Sequence, residues 1–330
     1  MPDVEAPDKT IVYVRLKDEP PAPPPPKWPK VVKVVAFVLL TALTAMSLVT
    51  SGGDLGASSE FSRKVVKSPN KGALNKVIGM DGVKEAFRQS LEWPLQHPEY
   101  FAGGLSAPSS MLLFGPPGNG KSMIVEAAAA EAGYSFLPVS PGDLLRSLVG
   151  ASGARLRAAF KAAVAAGPCV LFLDEADTVL GIRGSHNSSD AVVAEFLTAM
   201  NALNHANATS GKRVVVVAAT NRPRKIDDAV LRRFDRRIYV PLPSKTALRA
   251  LWASLTTGLK PKELDELAER SVGFSNSDIQ GVHKSAVLQA RQRAVDTKRA
   301  MRRGAGTFMT ALERARPTTD RAAILDYFKF

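Results

Sequence analysis

The stretch Met111 to Ser122, MLLFGPPGNGKS, constrains the fold more than any other part of this chain. An apolar run (Met111, Leu112, Leu113, Phe114) leads directly into Gly115-x-x-x-x-Gly120-Lys121-Ser122. A phosphate-binding loop needs that order. A buried strand ends, glycines let backbone N–H groups face a polyphosphate with no Cβ in the way, and a helix begins beneath the anion. On this reading Gly115, Pro116, Pro117, Gly118, Asn119, Gly120, Lys121, Ser122 and Met123 hold the phosphates of ATP. Lys121 reaches the β- and γ-phosphates, and Ser122 ligates Mg²⁺. Ser122 to Ala132 supplies the strong helix formers that must follow. The alternative is a glycine-rich turn that binds nothing.

A second constellation argues against that alternative. Cys169 to Leu173 is a short continuous apolar run, and Asp174, Glu175 and Asp177 follow it at once. A parallel strand covered on both faces, with catalytic residues at its C-terminal tip, reads this way. Asp174 is placed to hold the Mg²⁺ through water and Glu175 to polarise an attacking water, so ATP and Mg²⁺ are the expected cofactors. Arg213 to Asn221 is another buried strand, tipped by Asn221, which either positions the hydrolytic water or forms a turn before Arg222-Pro223. Further on, Arg232 and Arg233 stand side by side at the end of a short helix. They are surplus in a monomer but placed to face a neighbour's γ-phosphate at a subunit boundary.

Between these landmarks strand and helix alternate. Helical spacing starts at Val77 and is expected to close over Trp93 to Pro98 (WPLQHP), Tyr134 to Val139 reads as a strand, and Gly153 to Ala166 as a helix. The fold class expected is α/β, a phosphate-loop NTPase with a parallel sheet, right-handed crossovers and helices on both faces. From Ser244 onward the pattern is helical (262–270, 275–294, 308–314), which suggests a small lid. The domain boundaries follow: 76–243 for the large α/β domain and 244–330 for the lid and closing helix.

The N-terminal part reads differently. Residues 1–30 end in a polyproline run, which forms an extended, semi-rigid spacer. Residues 31–50 carry no charge apart from Lys33, and at 1.5 Å per residue they span about 30 Å, the thickness of a bilayer core. A single transmembrane helix is expected there, with a buried soluble helix as the alternative. Lysines and arginines flank it on both sides, so the positive-inside rule does not orient it. Residues 51–75 are a Gly/Ser/Lys-rich linker. The single Cys169 lies inside an apolar run and builds no disulfide framework, which fits a reducing compartment, and ATP belongs there too. The ATPase part is therefore expected on the cytosolic side of the membrane. The net charge of +13 is densest from Arg291 to Arg303. That block is either a solvated helix face or a surface for an acidic partner. Nucleic acid is the weaker candidate, because no aromatics interleave with those arginines to stack on bases.

Taken together, Val77-Ile-Gly-Met-Asp81, GPPGNGKS, LFLDEAD, AATNRP, LRRF-x-x-R-I-Y-V-P-L-P and Gly273-Phe-Ser-x-Ser-Asp278 resemble the AAA family of ring-forming ATPases. The group within it that contains spastin, katanin, fidgetin and the mitochondrial outer-membrane extractase of tail-anchored proteins is the most similar. The resemblance covers roughly residues 75 to 330. It implies that Lys121 and Ser122 bind phosphate and Mg²⁺, that Asp174 and Glu175 serve metal and water, and that Asn221 is the first sensor. It further implies that Arg232 and Arg233 are arginine fingers acting on a neighbour's ATP in a homo-oligomer, expected to be a hexamer, and that the chain near Met80 and Gly82 lies by the adenine. The tail from Phe308 to Tyr327 is similar to spastin and katanin, whose closing helix packs on the ATPase core. The short membrane anchor is more similar to the extractase.

The same resemblance exposes departures. Leu148, Val149 and Gly150 stand where the family's central pore loop has an aromatic residue, and Ala151-Ser152 replaces the following Glu-Ser pair. A leucine intercalates by apolar contact without the flat face of an aromatic ring. The second pore loop, from Gly184 to Ser189, is polar, and the helix ending near Asn201 lacks the family's Asp-Gly. The hydrolytic residues are intact while those handling the substrate are altered. Two functions remain open. One is a membrane-anchored motor pulling a polypeptide, either by severing at tubulin tails or by extracting membrane proteins. The other is a non-translocating, ATP-binding membrane scaffold.

Overall fold

The computed structural model describes residues 57–67, 69–101, 107–145, 152–182, 187–209, 213–297, 304–328 and 330. The expected transmembrane helix at 31–50 and the pore-loop residues 148–150 lie outside them. No helix among the described residues is long and apolar enough to cross a membrane.

Four short, mostly apolar runs become strands β1 (Ser110–Phe114), β2 (Ser135–Val139), β3 (Cys169–Leu173) and β4 (Val214–Thr220), and the sequence RRIY forms a fifth, β5 (Arg236–Tyr239). They form one sheet in the order β2-β3-β4-β1-β5, and every pairing is parallel. The helices in chain order are α1 (residues 57–64), α2 (Asp81–Phe87), α3 (Trp93–Gln96), α4 (Lys121–Ala132), α5 (Pro141–Leu145), α6 (Ser152–Ala165) and α7 (Asn187–Thr209). They continue with α8 (Asp228–Leu231), α9 (Lys245–Leu255), α10 (Pro261–Arg270), α11 (Asn276–Thr297), α12 (Ala305–Arg314) and α13 (Arg321–Tyr327).

Side chains alternate across each strand, and in β1 to β4 both faces are covered, which is why those strands read as nearly continuous apolar runs. Leu112, Leu137, Leu171 and Val216 point to one face and pack with Phe160 of α6 and Phe196 of α7. Met111, Leu113, Phe172 and Val217 point to the other and pack with Ile124 and Val125 of α4 and Phe87 of α2. A third cluster joins α9 to α12 around Trp252, Leu267, Ile279 and Phe308. Its buried polar groups are satisfied in a chain: Trp252 Nε1 donates to Ser271 Oγ at 2.9 Å, and that hydroxyl donates to the Leu267 carbonyl at 2.6 Å.

The helix read from Val77 onward starts at Asp81, and it ends at Gln96 with His97 as its cap, inside the stretch Trp93 to Pro98 expected to close it. A π-helical turn over Arg88–Glu92 carries the chain into α3, with Pro94 in the first turn of that helix. Proline has no N–H to give the carbonyl of Ser90 at α-helical spacing. Arg213 supplies the missing donor from elsewhere in the fold, its guanidinium lying 3.2 Å from that carbonyl.

Within 51–75, whose composition reads as a linker, α1 is seated on the core. Phe61 is fully buried in the sheet face shared with α6 and α7. Arg155 of α6 lies 5.4 Å over its ring and pairs with Glu60 at 2.9 Å, and Lys64 pairs with Asp143 of α5. Val66 then forms an antiparallel bridge with Phe136, both N–H···O distances being 2.8 Å, on the free edge of β2. One aromatic residue in a polar stretch thus decides the local structure.

Candidate nucleotide site

β1 delivers the phosphate loop at the C-terminal edge of the sheet, between β4 and β5, and α4 starts at Lys121. Two glycines in the loop are sterically required. A Cβ on Gly115 would lie 2.2 Å from the Val240 carbonyl oxygen, and one on Gly118 would lie 2.0 Å from Ser277 Oγ. Both have positive φ, 148° and 75°, which side-chain-bearing residues rarely adopt.

Lys121 is buried, and its ammonium donates to the carbonyls of Gly115 (2.9 Å) and Pro116 (2.8 Å). Burial strips water from the ammonium and lowers its pKa to about 8, against the opposing pull of Asp174 and Asp177. Ser122 Oγ donates to Asp174 Oδ2 at 2.7 Å, and the backbone N–H of Glu175 donates to Asp174 Oδ1 at 2.9 Å. The tips of α4 and β3 are therefore tied through one carboxylate. Met123 is half exposed beside them.

Glu175 itself is exposed and has left-handed backbone angles, φ 47° and ψ 45°. The other non-glycine residue with positive φ among the described residues is Met80, at 59°. Such geometry costs free energy and persists only where the surroundings enforce it. Each residue lines a cavity. Glu175 shares one of about 380 Å³ with Lys121, Ser122, Asp174 and Asn221. Met80 shares one of about 670 Å³ with Gly82, Tyr239 and Asn119. Asn119 is buried between Lys121 and the lid, and its Oδ1 has no hydrogen-bond partner, as is also true of Asn221 Oδ1.

Strand β4 brings Asn221 to the tip of the sheet beside Asp174 and Glu175. Thr220 Oγ1 locks that tip, donating to Asp177 Oδ1 at 2.6 Å and accepting from the Arg222 N–H at 2.9 Å. The four arginines after α8 separate into two pairs. Arg236 is held by Gln89 at 3.0 Å, and Arg237 donates to the Leu231 carbonyl at 3.0 Å. Arg232 and Arg233 are exposed, and neither guanidinium has a partner among the described residues.

Sequence reasoning assigned no role to three contacts that complete the site. The Ser277 N–H donates to the Gly118 carbonyl at 3.0 Å, and Asn276 Nδ2 approaches the Asn119 carbonyl at 3.4 Å, so the start of α11 grips the loop. Asp278 accepts from the Ser275 N–H at 2.9 Å and from Thr318 Oγ1 at 2.9 Å. Burial pushes the Asp278 carboxyl up, but these hydrogen bonds outweigh it and hold the group below the usual carboxylate range. Tyr327 reaches back to the Asn221 carbonyl. The motif Gly273 to Asp278 carried the signal for the first two contacts, and its serines are the signature of a helix N-terminus.

The family described as "ATPase family associated with various cellular activities (AAA)" matches residues 111–242. Protein SAV of Sulfolobus acidocaldarius is 38% identical over 237 residues, 69% of this chain and 30% of that protein. Spastin of Homo sapiens is 35% identical over 241 residues, 71% of this chain and 39% of its own length. The meiotic spindle formation protein mei-1 of Caenorhabditis elegans is 38% identical over 235 residues, covering 69% and 49%. The chain therefore spans about a third to a half of the length of these curated relatives. Among solved structures, the AAA domain of FIGL-1 in complex with ADP superposes with a TM-score of 0.73 at 29% identity, covering 84% of this chain and 95% of that one. With the phosphate loop, the Asp174-Glu175 strand tip and Asn221 gathered at one edge of a parallel sheet, the chain carries an ATPase domain of the AAA family.

Proposed function

We propose that this chain hydrolyses ATP as a protomer of a hexameric ring and uses the cycle to pull on a polypeptide. The observation that carries the reading is the tie from Ser122 to Asp174 at 2.7 Å, with Glu175 next to it and Asn221 across the same cavity. The donor set fits the cofactors. A serine hydroxyl and a carboxylate are the hard oxygen ligands Mg²⁺ prefers, and the unpartnered Oδ1 of Asn221 is buried where an acceptor for a water proton is needed. The glycine cradle and Lys121 suit a triphosphate. The FIGL-1 domain was solved with ADP, which supports a nucleotide here, with the adenine beside Met80 and Gly82.

Mg²⁺, when bound, neutralises charge on the phosphate oxygens. Ser122 and Asp174 would hold it, Lys121 would exchange its carbonyl partners for the phosphates, and Glu175 would take up the water's proton as Asn221 orients that water. Arg232 and Arg233 have no intramolecular partner among the described residues, which favours action on a neighbour's site. A finger of that kind is worth on the order of 10³ to 10⁵ in rate, so hydrolysis depends on assembly.

The segment 31–50 tethers the ring to a membrane, with the ATPase on the cytosolic side. Leu148, Val149 and Gly150 contact the substrate. The packing of α13 against the sheet tips favours severing at tubulin tails over extraction of membrane proteins, because the closing helix is a spastin and katanin trait. ATPase rate against concentration of the full chain in detergent, beside Glu175→Gln and Arg233→Ala, tests the motor. A rate that rises cooperatively and collapses in both variants supports it. A negligible rate with ATP still bound leaves the scaffold reading instead. Pelleting with microtubules, lost when Arg291 and Arg293 become alanine, supports the severing substrate; pelleting that is absent in wild type favours extraction.

A further inference from the structure

We infer that Tyr327, the last residue of α13, is a positioning residue for Asn221: its hydroxyl holds the tip of β4 so that the Asn221 amide faces the phosphate cavity. The inference rests on the ATPase reading, since it takes Asn221 to act on the hydrolytic water.

The Tyr327 hydroxyl donates to the Asn221 carbonyl at 2.7 Å. Asn221 needs such a hold for two reasons. It stands one residue beyond the end of β4, where Thr220 opposite Phe114 is the last laddered pair, so the sheet no longer fixes its backbone. Its side-chain Oδ1 is buried without a partner among the described residues, so no hydrogen bond of the amide oxygen sets the direction of the group. That direction is inherited from the backbone. On the preceding side Asp177 and the Arg222 N–H fix Thr220; on the carbonyl side the partner is Tyr327.

The phenol is itself held firmly. The Tyr327 ring lies 5.9 Å from that of Tyr239 on β5, which also meets Phe328 at 5.4 Å. Phe330 sets its ring edge against Phe114 at 5.0 Å, one residue before the phosphate loop, and Arg237 lies 5.7 Å over it. Asp326 pairs with Arg224 at 3.2 Å. At the start of the segment Thr318 is bonded to Asp278, whose neighbour Ser277 grips Gly118. Residues 318–330 thus run from the lid contact on the loop to the tip that carries Asn221. Burial and the nearby Tyr239, Asp177 and Asp326 push the Tyr327 phenol above its usual pKa, so it remains a donor at any working pH.

Tyr327→Phe in the full chain removes the hydroxyl and keeps the ring contacts. The expected result is a kcat lowered about threefold to tenfold, the scale of one hydrogen bond to a positioned group, with the affinity for a fluorescent ADP and the Tm unchanged. In an Asn221→Ala background the same change has no further effect, since there is no amide left to aim. A wild-type kcat in Tyr327→Phe overturns the inference. So does a loss as large in the Asn221→Ala background as in wild type, or a parallel loss of ADP affinity and Tm, either of which marks a packing role. If Asn221→Ala alone leaves kcat intact, the reading of Asn221 fails and takes this inference with it.

Discussion

The N–H of Ser277, in the first turn of α11, donates to the carbonyl of Gly118 at 3.0 Å, so the lid holds the phosphate loop by the loop's own backbone. Gly118→Ala would place a methyl 2.0 Å from Ser277 Oγ and 3.0 Å from Ser275 Oγ, at a φ of +75°. The backbone term alone is about 1–2 kcal/mol, and the clash forces the lid off the loop. Fluorescent-ADP titration should show affinity reduced about tenfold or more. Adding Ser277→Gly relieves the clash but not the φ and should recover part of the loss. Unchanged affinity in Gly118→Ala would mean that the lid contact is dispensable.

Lys121 links nucleotide binding to pH. Its pKa is lowered to about 8 by burial, from an ordinary value of 10.5. Between these values the unfolded chain holds more protons at this site than the folded one. Stability of the nucleotide-free protein should therefore rise with pH through that window, and below about 8 the penalty of burying the charged ammonium is fully present. Phosphate oxygens favour the charged form, so binding takes up a proton above pH 8 and affinity falls as pH rises, by up to about tenfold per unit. Calorimetric titration of ADP in two buffers of different ionisation heat, at pH 7 and pH 9, measures this directly. Proton uptake only at the higher pH is the expected outcome, although Lys121→Met should abolish it.

Arg232 and Arg233 project from the end of α8 without partners among the described residues, whereas Arg236 and Arg237 are engaged within the chain. Arg232→Ala and Arg233→Ala should each lower turnover, by on the order of 10³ if the residue is a finger, with ADP affinity intact. Mixing supplies the sharper test. Arg233→Ala protomers keep a complete hydrolytic site and Glu175→Gln protomers keep their arginines, so a mixture should be more active than either alone. No recovery on mixing would place the arginine's effect inside its own chain.

Phe61 should behave as a core residue. Phe61→Ala removes a fully buried ring from the cluster with Phe160 and Phe196 and strips Arg155 of its aromatic partner, a loss of about 3–5 kcal/mol. Phe61→Leu should lose less. Urea unfolding of the full chain followed by tryptophan fluorescence gives both values; a midpoint unmoved by Phe61→Ala would mean that α1 contributes nothing to the core.

What the sequence disclosed, and what it hid, divides by range of interaction. Val214 to Thr220 and Cys169 to Leu173 were legible because strands covered on both faces must be apolar at every position, and the residues just past their ends are the ones a sheet presents to ligands. The loop was legible because only glycine fits at Gly115 and Gly118. The end of the helix before Pro98 was legible, but its passage through Pro94 was not, because the donor that replaces the missing N–H, Arg213, lies 123 residues away from Ser90. Tyr327 and Asn221 are separated by 106 residues and leave no periodicity. Phe61 was hidden by averaging, one ring among glycines, serines and lysines.

The seating of α1 fixes the route by which force enters the core. Tension applied to the chain upstream of residue 57 arrives first at Phe61 and at the ion pairs to Asp143 of α5 and Arg155 of α6, the two helices that flank residues 146–151. It then meets the Val66 and Phe136 bridge, whose two hydrogen bonds join the same pair of residues and so share the load. A pull from that side is resisted at α5 and α6 before it reaches β1 and the phosphate loop.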